Sequence, residues 1–112
     1  MSNQVLELLK KLQRQMIAAP EAIAHLHYHY CFQLKEGWEI FVHIEDELVT
    51  INESLGERPV DCTIVISEKD MIKLLSHQLN STLAYMTGAI KIEGRMGPAI
   101  KLLEALGSYK SE

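Results

Sequence analysis

Three histidines and a cysteine alternate with apolar residues in the stretch "HLHYHYCF" at residues 25–32. Imidazole and thiolate groups are common zinc and copper ligands, so His25, His27, His29 and Cys31 are candidate metal ligands. In an extended strand these four side chains would share one face, with about 6.6 Å between neighbours. His25 and His29 would then lie about 13 Å apart, which is too far to bind one ion. A metal site in this stretch therefore needs a ligand from another strand.

A β-hairpin is predicted by the alternation of apolar residues on both sides of "KEG". A three-residue loop ending in a left-handed Gly37 gives a register in which one face is wholly apolar. In that register His29 lies opposite His43, and His27 is a diagonal neighbour. These three imidazoles are the candidate metal site. The ordinary polar face of a strand is the alternative interpretation of the same residues.

Alternating apolar residues also predict the remaining strands. A turn at "ED", residues 45–46, would pair Ile44 with Glu47 and add a third strand. The segment "NESLGERP" at residues 52–59 is predicted as a polar connection, and Val60 begins a fourth strand. The segment "AIKIEG" is predicted as a short fifth strand.

Helices are predicted from apolar residues at helical spacing and from capping signals. The first covers residues 1–19, and the second begins after Ser67 as N-cap. The third follows Asn80 and ends at Gly88, and the fourth runs through "GPAIKLLEALG". The predicted order is α-β-β-β-β-α-α-β-α, an α+β fold. Residues 1–112 are expected to form one domain with a modest core.

The composition narrows the classes of function. The formal net charge is −4, with no basic cluster beyond Lys10-Lys11, so nucleic acid is not an expected partner. No stretch approaches the roughly 20 apolar residues that span a bilayer, and the amino end has no signal-peptide pattern. Cys31 and Cys62 lack CxxC spacing and face opposite sides of their strands. Both are therefore expected to be reduced thiols in a cytoplasmic protein.

The sequence lacks the signatures of common catalytic sites. It contains no G-x-S-x-G elbow, no H-E-x-x-H motif and no glycine-rich phosphate loop. Ser76 and His77 are adjacent, and adjacent side chains on a helix diverge by about 100°, so they cannot form a nucleophile–base pair. Lys69, Lys73, Lys101 and Glu104 are interpreted as a solvated helical surface. We expect a non-catalytic chain that needs no cofactor.

Two strings in the second half of the chain are similar to a known family. The run "VDCTIVISEKDMIKLL" at residues 60–75, followed by "LAYMTGAIKIEGRMGPAIKLLEAL", closely resembles the sterol carrier protein 2 domain. The resemblance is specific over residues 60–107 and looser over 28–52, so 28–107 is its core. It implies a five-stranded mixed sheet with helices packed on one face. It also implies an apolar tunnel between sheet and helices that holds a fatty acid, acyl-CoA, sterol, isoprenoid or other lipid.

Two departures from the family pattern modify this expectation. Family members often have glycine where this chain has His77, so the helix is expected to continue through that position and the tunnel mouth to differ. The chain ends in "YKSE" and not in the peroxisomal tripeptide of eukaryotic carriers, which favours a cytoplasmic stand-alone domain.

The expected lipid-binding wall consists of aliphatic, aromatic and sulfur-containing side chains that demand no specific polar partner. They are Phe32, Trp38, Ile40, Val42, Ile64, Leu74, Leu75, Leu79, Leu83, Met86, Ile92, Met96, Ile100 and Leu103. Ten lipid methylenes placed against such a wall would contribute about 8 kcal/mol, against an association cost of about 4 to 15 kcal/mol. A core simply filled by the same residues is the alternative.

Two further contacts are predicted for the surface. The outer sheet face carries Cys31, Phe41, Leu48 and Val65, which are apolar enough to pack on the first helix or on a second copy of the chain as a homodimer. The first helix is amphipathic, so it either packs on the core or makes a transient contact with a membrane surface.

Overall fold

The helices and strands follow the predicted order. The computed structural model describes residues 3–53 and 59–109. Its elements are α1 (Asn3–Ala18), a 3-10 turn (Pro20–Ala22), β1 (Tyr28–Leu34), β2 (Glu39–Glu45), β3 (Leu48–Asn52), β4 (Cys62–Ile66), α2 (Glu68–Leu75), α3 (Ser81–Thr87), β5 (Ile90–Gly94) and α4 (Met96–Gly107). The α+β class is confirmed. Residues 1 and 2 of the predicted first helix, most of the predicted connection 52–59 and the end of the chain lie outside the described residues.

Within the described residues, five strands form one mixed sheet in the order β3-β2-β1-β4-β5. β1 lies at the centre, antiparallel to β2 and parallel to β4. Successive side chains of a strand point to opposite faces of the sheet. Since the apolar residues occupy every second position of each strand, one face of this sheet is apolar throughout. This inner face is buried and is formed by Tyr30, Phe32, Leu34, Ile40, Val42, Ile44, Val49, Cys62, Ile64, Ile66 and Ile90.

Asp61 connects the strands that meet at the start of β4. The His29 amide donates a hydrogen bond to the Asp61 carboxylate at 2.8 Å, and the Asp61 amide donates to the His29 carbonyl at 2.8 Å. The Arg95 amide donates to the Asp61 carbonyl at 3.0 Å. Gly94 passes so close that a Cβ atom there would lie 2.9 Å from the Asp61 carbonyl oxygen, and its φ of +87° also favours glycine. These contacts hold β1, β4 and β5 in register.

α1 and α4 pack on the inner face of the sheet. The buried side of α1, formed by Val5, Leu9, Leu12 and Met16, belongs to the same core cluster as the inner sheet residues. The Tyr30 hydroxyl donates a hydrogen bond to the Pro98 carbonyl in the first turn of α4 at 3.0 Å. The Tyr109 hydroxyl donates to the Ala19 carbonyl at 2.6 Å and so connects the end of α4 to the end of α1. The alternative in which α1 covers the outer sheet face is therefore wrong.

The first hairpin has the predicted register. His29 pairs with His43, and Tyr28 pairs with Ile44. Gly37 has a φ of +106°, and its amide donates to the Leu34 carbonyl at 2.9 Å, as the three-residue loop requires.

The predicted register of the second hairpin is wrong by two residues. Ile44 pairs with Val49 and not with Glu47, and the turn consists of Asp46 and Glu47. Both turn residues have positive φ, 52° and 64°, as a two-residue hairpin turn of the favoured type needs. A shift of two residues keeps every side chain on its face, so the apolar alternation does not distinguish the two registers.

The caps of α2 and α3 confirm the sequence signals. The Asp70 amide donates to the Ser67 hydroxyl at 3.1 Å, and the Leu83 amide donates to the Asn80 side-chain oxygen at 3.0 Å. α3 ends at Thr87 and is capped by Gly88, which has a φ of +86°.

The prediction that α2 continues through His77 is wrong. α2 ends at Leu75, and His77 adopts the left-handed conformation with a φ of +60°. The Gln78 amide donates to the Lys73 carbonyl at 2.8 Å, and the His77 amide donates to the Leu74 carbonyl at 3.2 Å. These two bonds form a Schellman motif, which satisfies the last carbonyls of the helix. A histidine thus occupies a left-handed position that glycine would adopt without steric cost.

Replacing this histidine with glycine is expected to stabilise the fold. His77→Gly should raise the free energy of unfolding by about 1 kcal/mol, because a non-glycine residue in the left-handed region costs about 1–2 kcal/mol. Ser76→Gly is the matched control, since Ser76 has a φ of −96° and gains nothing from glycine. Urea denaturation checks both variants. Equal effects at the two positions would contradict the assignment of strain to His77.

Candidate functional site

The residues between the sheet, α1 and α4 belong to one buried hydrophobic core. A cavity among them has a volume of about 10 Å³, and its lining includes Phe32, Val42 and Leu102. A cavity needs at least about 10–15 Å³ to hold a single water molecule. A lipid chain does not fit in this cavity.

Open space lies beside α3, next to β5 and α4. One groove of about 170 Å³, here called the apolar groove, lies between α3, β5 and α4 and is lined by Ser81, Thr82, Tyr85, Ile92, Ile100, Leu103 and Glu104. A second groove of about 270 Å³, here called the polar-rimmed groove, is lined by Leu74, His77, Leu79, Asn80, Ser81, Thr82, Leu103, Glu104, Leu106 and Gly107. The two share four residues, so they adjoin along the first turn of α3.

α3 forms the common wall of these grooves and has few contacts with the core. All seven of its residues are described, and only Ala84 is buried. Leu83 and Met86 are 59% and 74% exposed. The helix is short because Asn80 and Gly88 cap it at both ends. An element with so little buried apolar area belongs to the least stable part of a fold.

The structure divides the predicted lipid-binding residues into three groups. Leu74, Leu79, Ile92, Ile100 and Leu103 line the grooves. Phe32, Ile40, Val42, Ile64 and Leu75 are buried in the packed core, and Trp38 is partly buried against it. Leu83, Met86 and Met96 lie at the surface around α3, where the Tyr85 hydroxyl donates to the Met96 sulfur at 3.5 Å.

The polar lining of the grooves was not expected from the sequence. Ser81, Thr82 and Tyr85 were not named as ligand-binding residues, His77 was expected only to alter the tunnel mouth, and Glu104 was assigned to a solvated surface. One signal for Glu104 was present. Glu104 follows Ile100 by four positions, and residues four apart share one side of a helix.

The candidate metal ligands come together only as a pair. The rings of His29 and His43 stack with centroids 3.7 Å apart and an interplanar angle of 10°. His43 Nε2 lies 3.6 Å from a carboxylate oxygen of Glu45. In residues 3–53 and 59–109, no three histidine, cysteine, aspartate or glutamate side chains form a group able to hold an ion. His27 precedes the first residue of β1, so the spacing expected of a strand does not apply to it.

The two cysteines are buried as free thiols on opposite faces of the sheet, as the parity of their positions predicts. Burial and the Glu39 carboxylate, 3.6 Å from the Cys31 sulfur, raise the pKa of Cys31 to about 12. Burial also raises the pKa of Cys62 to about 11. Since the thiolate is the nucleophilic form, both thiols are unreactive at neutral pH.

These raised pKa values predict a loss of stability in alkali. The unfolded thiols ionise near their ordinary pKa of about 8.5, while the folded thiols stay protonated. Stability is therefore fully present below that pH and falls as the pH rises toward about 11 for Cys62 and about 12 for Cys31. Urea denaturation over this range should show a smaller loss for the double variant Cys31→Ala, Cys62→Ala than for the unsubstituted chain. An identical loss would contradict the assignment.

The chain is similar to several known proteins. A sequence profile described as the SCP-2 sterol transfer family matches residues 7–107. Sterol carrier protein 2 of Gallus gallus is 28% identical over 103 residues, which cover 86% of this chain and 18% of that protein. The chain thus spans less than a fifth of the length of that relative.

Solved structures share the fold. The solution structure of the sterol carrier protein domain 2 of Helicoverpa armigera has a TM-score of 0.67 and 28% identity, covering 97% of this chain and 92% of that one. Sterol carrier protein 2 of Aedes aegypti, solved in complex with palmitate, has a TM-score of 0.73 and 14% identity, covering 98% of this chain and 100% of that one.

Proposed function

The chain belongs to the SCP-2 sterol transfer family, and from that premise we propose that it binds and carries an apolar, lipid-like ligand beside α3 without catalysing a reaction. The observation that carries this proposal is the apolar groove between α3, β5 and α4. Tyr85, Ile92, Ile100 and Leu103 supply its apolar wall. A groove of this composition suits a flexible hydrocarbon chain, since burial of each methylene contributes about 0.8 kcal/mol.

The volumes suggest how a long ligand is accommodated. Each groove is smaller than the roughly 300 Å³ at which pockets for drug-sized ligands begin, so a full lipid needs both grooves or a movement of α3. Such a movement breaks few core contacts, because Ala84 is the buried residue of this helix. It would uncover Leu74, Leu79 and Leu103, which were expected to face the ligand. The related Aedes aegypti protein with bound palmitate supports a fatty chain as the type of ligand.

Ile100 provides a direct test of the groove. Ile100→Gln should weaken binding of a fluorescent lipid about tenfold, because an apolar side chain of this size contributes about 1.5 kcal/mol when it is covered. Ile17→Gln is the matched control, because Ile17 is 45% exposed and Ile100 is 43% exposed, but Ile17 lies on α1 away from the groove. Fluorescence titration measures both. Equal effects of the two substitutions, or no lipid binding by the unsubstituted chain, would exclude this site.

A non-catalytic role is supported by the state of the nucleophilic side chains. Both thiols are protonated at neutral pH, and burial also raises the pKa of the Tyr30 hydroxyl. The Tyr30 hydroxyl donates a hydrogen bond to the Pro98 carbonyl within the core, so its role is structural.

The surface around α3 supports a second role, loading of the ligand at a lipid surface. None of residues 74–90 is an aspartate, glutamate, lysine or arginine, although these types make up 23% of the chain. Leu83, Tyr85, Met86, Met96 and Ile100 are all at least 41% exposed in this region. This patch adjoins the apolar groove, so a lipid could pass from a bilayer into the groove without crossing water. Within the described residues, none of the helices is long and apolar enough to cross a membrane.

Leu83 tests the loading role. Leu83→Asp should reduce cosedimentation with phosphatidylcholine vesicles and slow lipid transfer between them by at least threefold, since a carboxylate resists entry into the apolar interface. Leu48→Asp is the matched control, because Leu48 is 61% exposed and Leu83 is 59% exposed, but Leu48 lies on β3. A larger effect at Leu48 would move the membrane contact to another surface.

The outer sheet face remains the candidate surface for a second copy of the chain. Phe41 and Val65 are partly buried there, Cys31 is buried by its neighbours, and Leu48 is exposed. Homodimerisation and a cytoplasmic location both stay predictions. Native mass spectrometry of the purified protein separates a bound lipid, a bound metal and a doubled mass in one measurement.

A further inference from the structure

The charge of the two grooves distinguishes between head groups of the ligand. Among the described residues that line the grooves, Glu104 is the single formally charged side chain, with histidine counted as neutral at pH 7. Glu104 lines both grooves, so this residue lies where they adjoin. No described lysine or arginine belongs to either lining. A ligand that occupies both grooves therefore passes a fixed negative charge.

The apolar groove and the polar-rimmed groove would contact different parts of an amphipathic ligand. Ile92 and Ile100 line only the apolar groove, which suits the hydrocarbon chain. His77 and Asn80 line only the polar-rimmed groove, which suits the head group. The Asn80 side-chain oxygen accepts the Leu83 amide, so the side-chain nitrogen of Asn80 is the part that can still donate. In this orientation the head group would lie next to Glu104, which lines the polar-rimmed groove.

A carboxylate oxygen accepts hydrogen bonds and does not donate them. A head group with a hydroxyl can donate a hydrogen bond to Glu104, and this charge-assisted bond is stronger than a neutral one. An ionised fatty acid brings a second negative charge close to Glu104, and two like charges repel each other. The charges alone therefore predict that Glu104 favours a hydroxyl head group over a carboxylate.

We propose that Glu104 selects lipids whose head group is uncharged and donates a hydrogen bond through a hydroxyl, and that it discriminates against lipids that end in a carboxylate. The proposal rests on the proposed function, since it assumes that the ligand lies in these grooves. It identifies Glu104 as a specificity-determining residue of the site.

The test compares 1-dodecanol with laurate, which have the same number of carbons and differ in the charge of the head group. Displacement of a fluorescent lipid at mildly alkaline pH, where laurate is ionised, gives the ratio of the two affinities. The unsubstituted chain should favour 1-dodecanol after correction for the intrinsic partition of each ligand into apolar solvent. Glu104→Gln should raise laurate affinity about two- to fivefold, as expected for one charge pair at a partly exposed site, and Glu104→Lys should raise it further. Added salt should reduce these changes.

Glu93→Gln and Glu93→Lys are the matched controls. Glu93 is exposed on β5 but points to the face opposite Ile92, so it changes the net charge equally without lying in either groove. Glu104 is itself exposed, so its variants are expected to fold, and circular dichroism verifies this.

The outcomes separate the two proposals. If both ligands bind and the ratio of their affinities changes no more in the Glu104 variants than in the Glu93 variants, the selection by Glu104 is overturned while lipid binding stands. If neither ligand displaces the probe from any variant, the proposed function and this inference both fail. A ratio that shifts toward laurate only in the Glu104 variants supports the inference.

Discussion

The parallel pairing of β1 with β4 is the contact on which the rest of this fold depends. It joins two parts of the chain that each form local contacts, the β1–β3 meander and the segment from β4 to α4. A short turn can join two antiparallel strands and fix their register. Parallel strands are joined by a long connection, so their register must be fixed by other contacts. Asp61 supplies them through its reciprocal bonds with His29 and its carbonyl bond to the Arg95 amide. The close approach of Gly94 to the Asp61 carbonyl brings β5 to the same place.

The arrangement of helices on one face gives the core a closed side and an open side. α1 closes the space over β2 and β3, and the Tyr109–Ala19 hydrogen bond holds the end of α4 beside it. On the other side, α3 covers β5 and α4 with a single buried alanine. Large apolar side chains are therefore packed against one another near α1 and exposed near α3. The region beside α3 combines available space, exposed apolar area and weak attachment, which are the properties a site for a lipid chain requires.

Much of the fold could be predicted from particular residues. The apolar alternation on both sides of "KEG" and the left-handed Gly37 were sufficient for the first hairpin, because a shift by one residue would have exposed its whole apolar face. Ser67 was sufficient to predict the start of α2, and Asn80 and Gly88 were sufficient to predict the start and end of α3. Caps can be predicted in this way because their hydrogen bonds join residues that are close in sequence. The second hairpin was mispredicted because a shift by two residues conserves the faces. The end of α2 was mispredicted because His77 takes a conformation usually left to glycine.

The sequence by itself determined the class of the fold, the inner face of the sheet, the helix caps and the resemblance to a lipid-binding family. These depend on periodicity, on local backbone preferences and on strings of residues, which can be seen without a three-dimensional arrangement. Only the tertiary structure decided which apolar residues are packed and which line open space. Helical spacing placed Ile100 and Leu103 on one stripe, and both line the apolar groove, yet Leu103 is buried with 7% exposure and Ile100 is 43% exposed. The difference arises because α4 contacts the core along Leu102 and Leu106, while the side bearing Ile100 and Glu104 faces α3, and this rotation depends on neighbours that are distant in sequence.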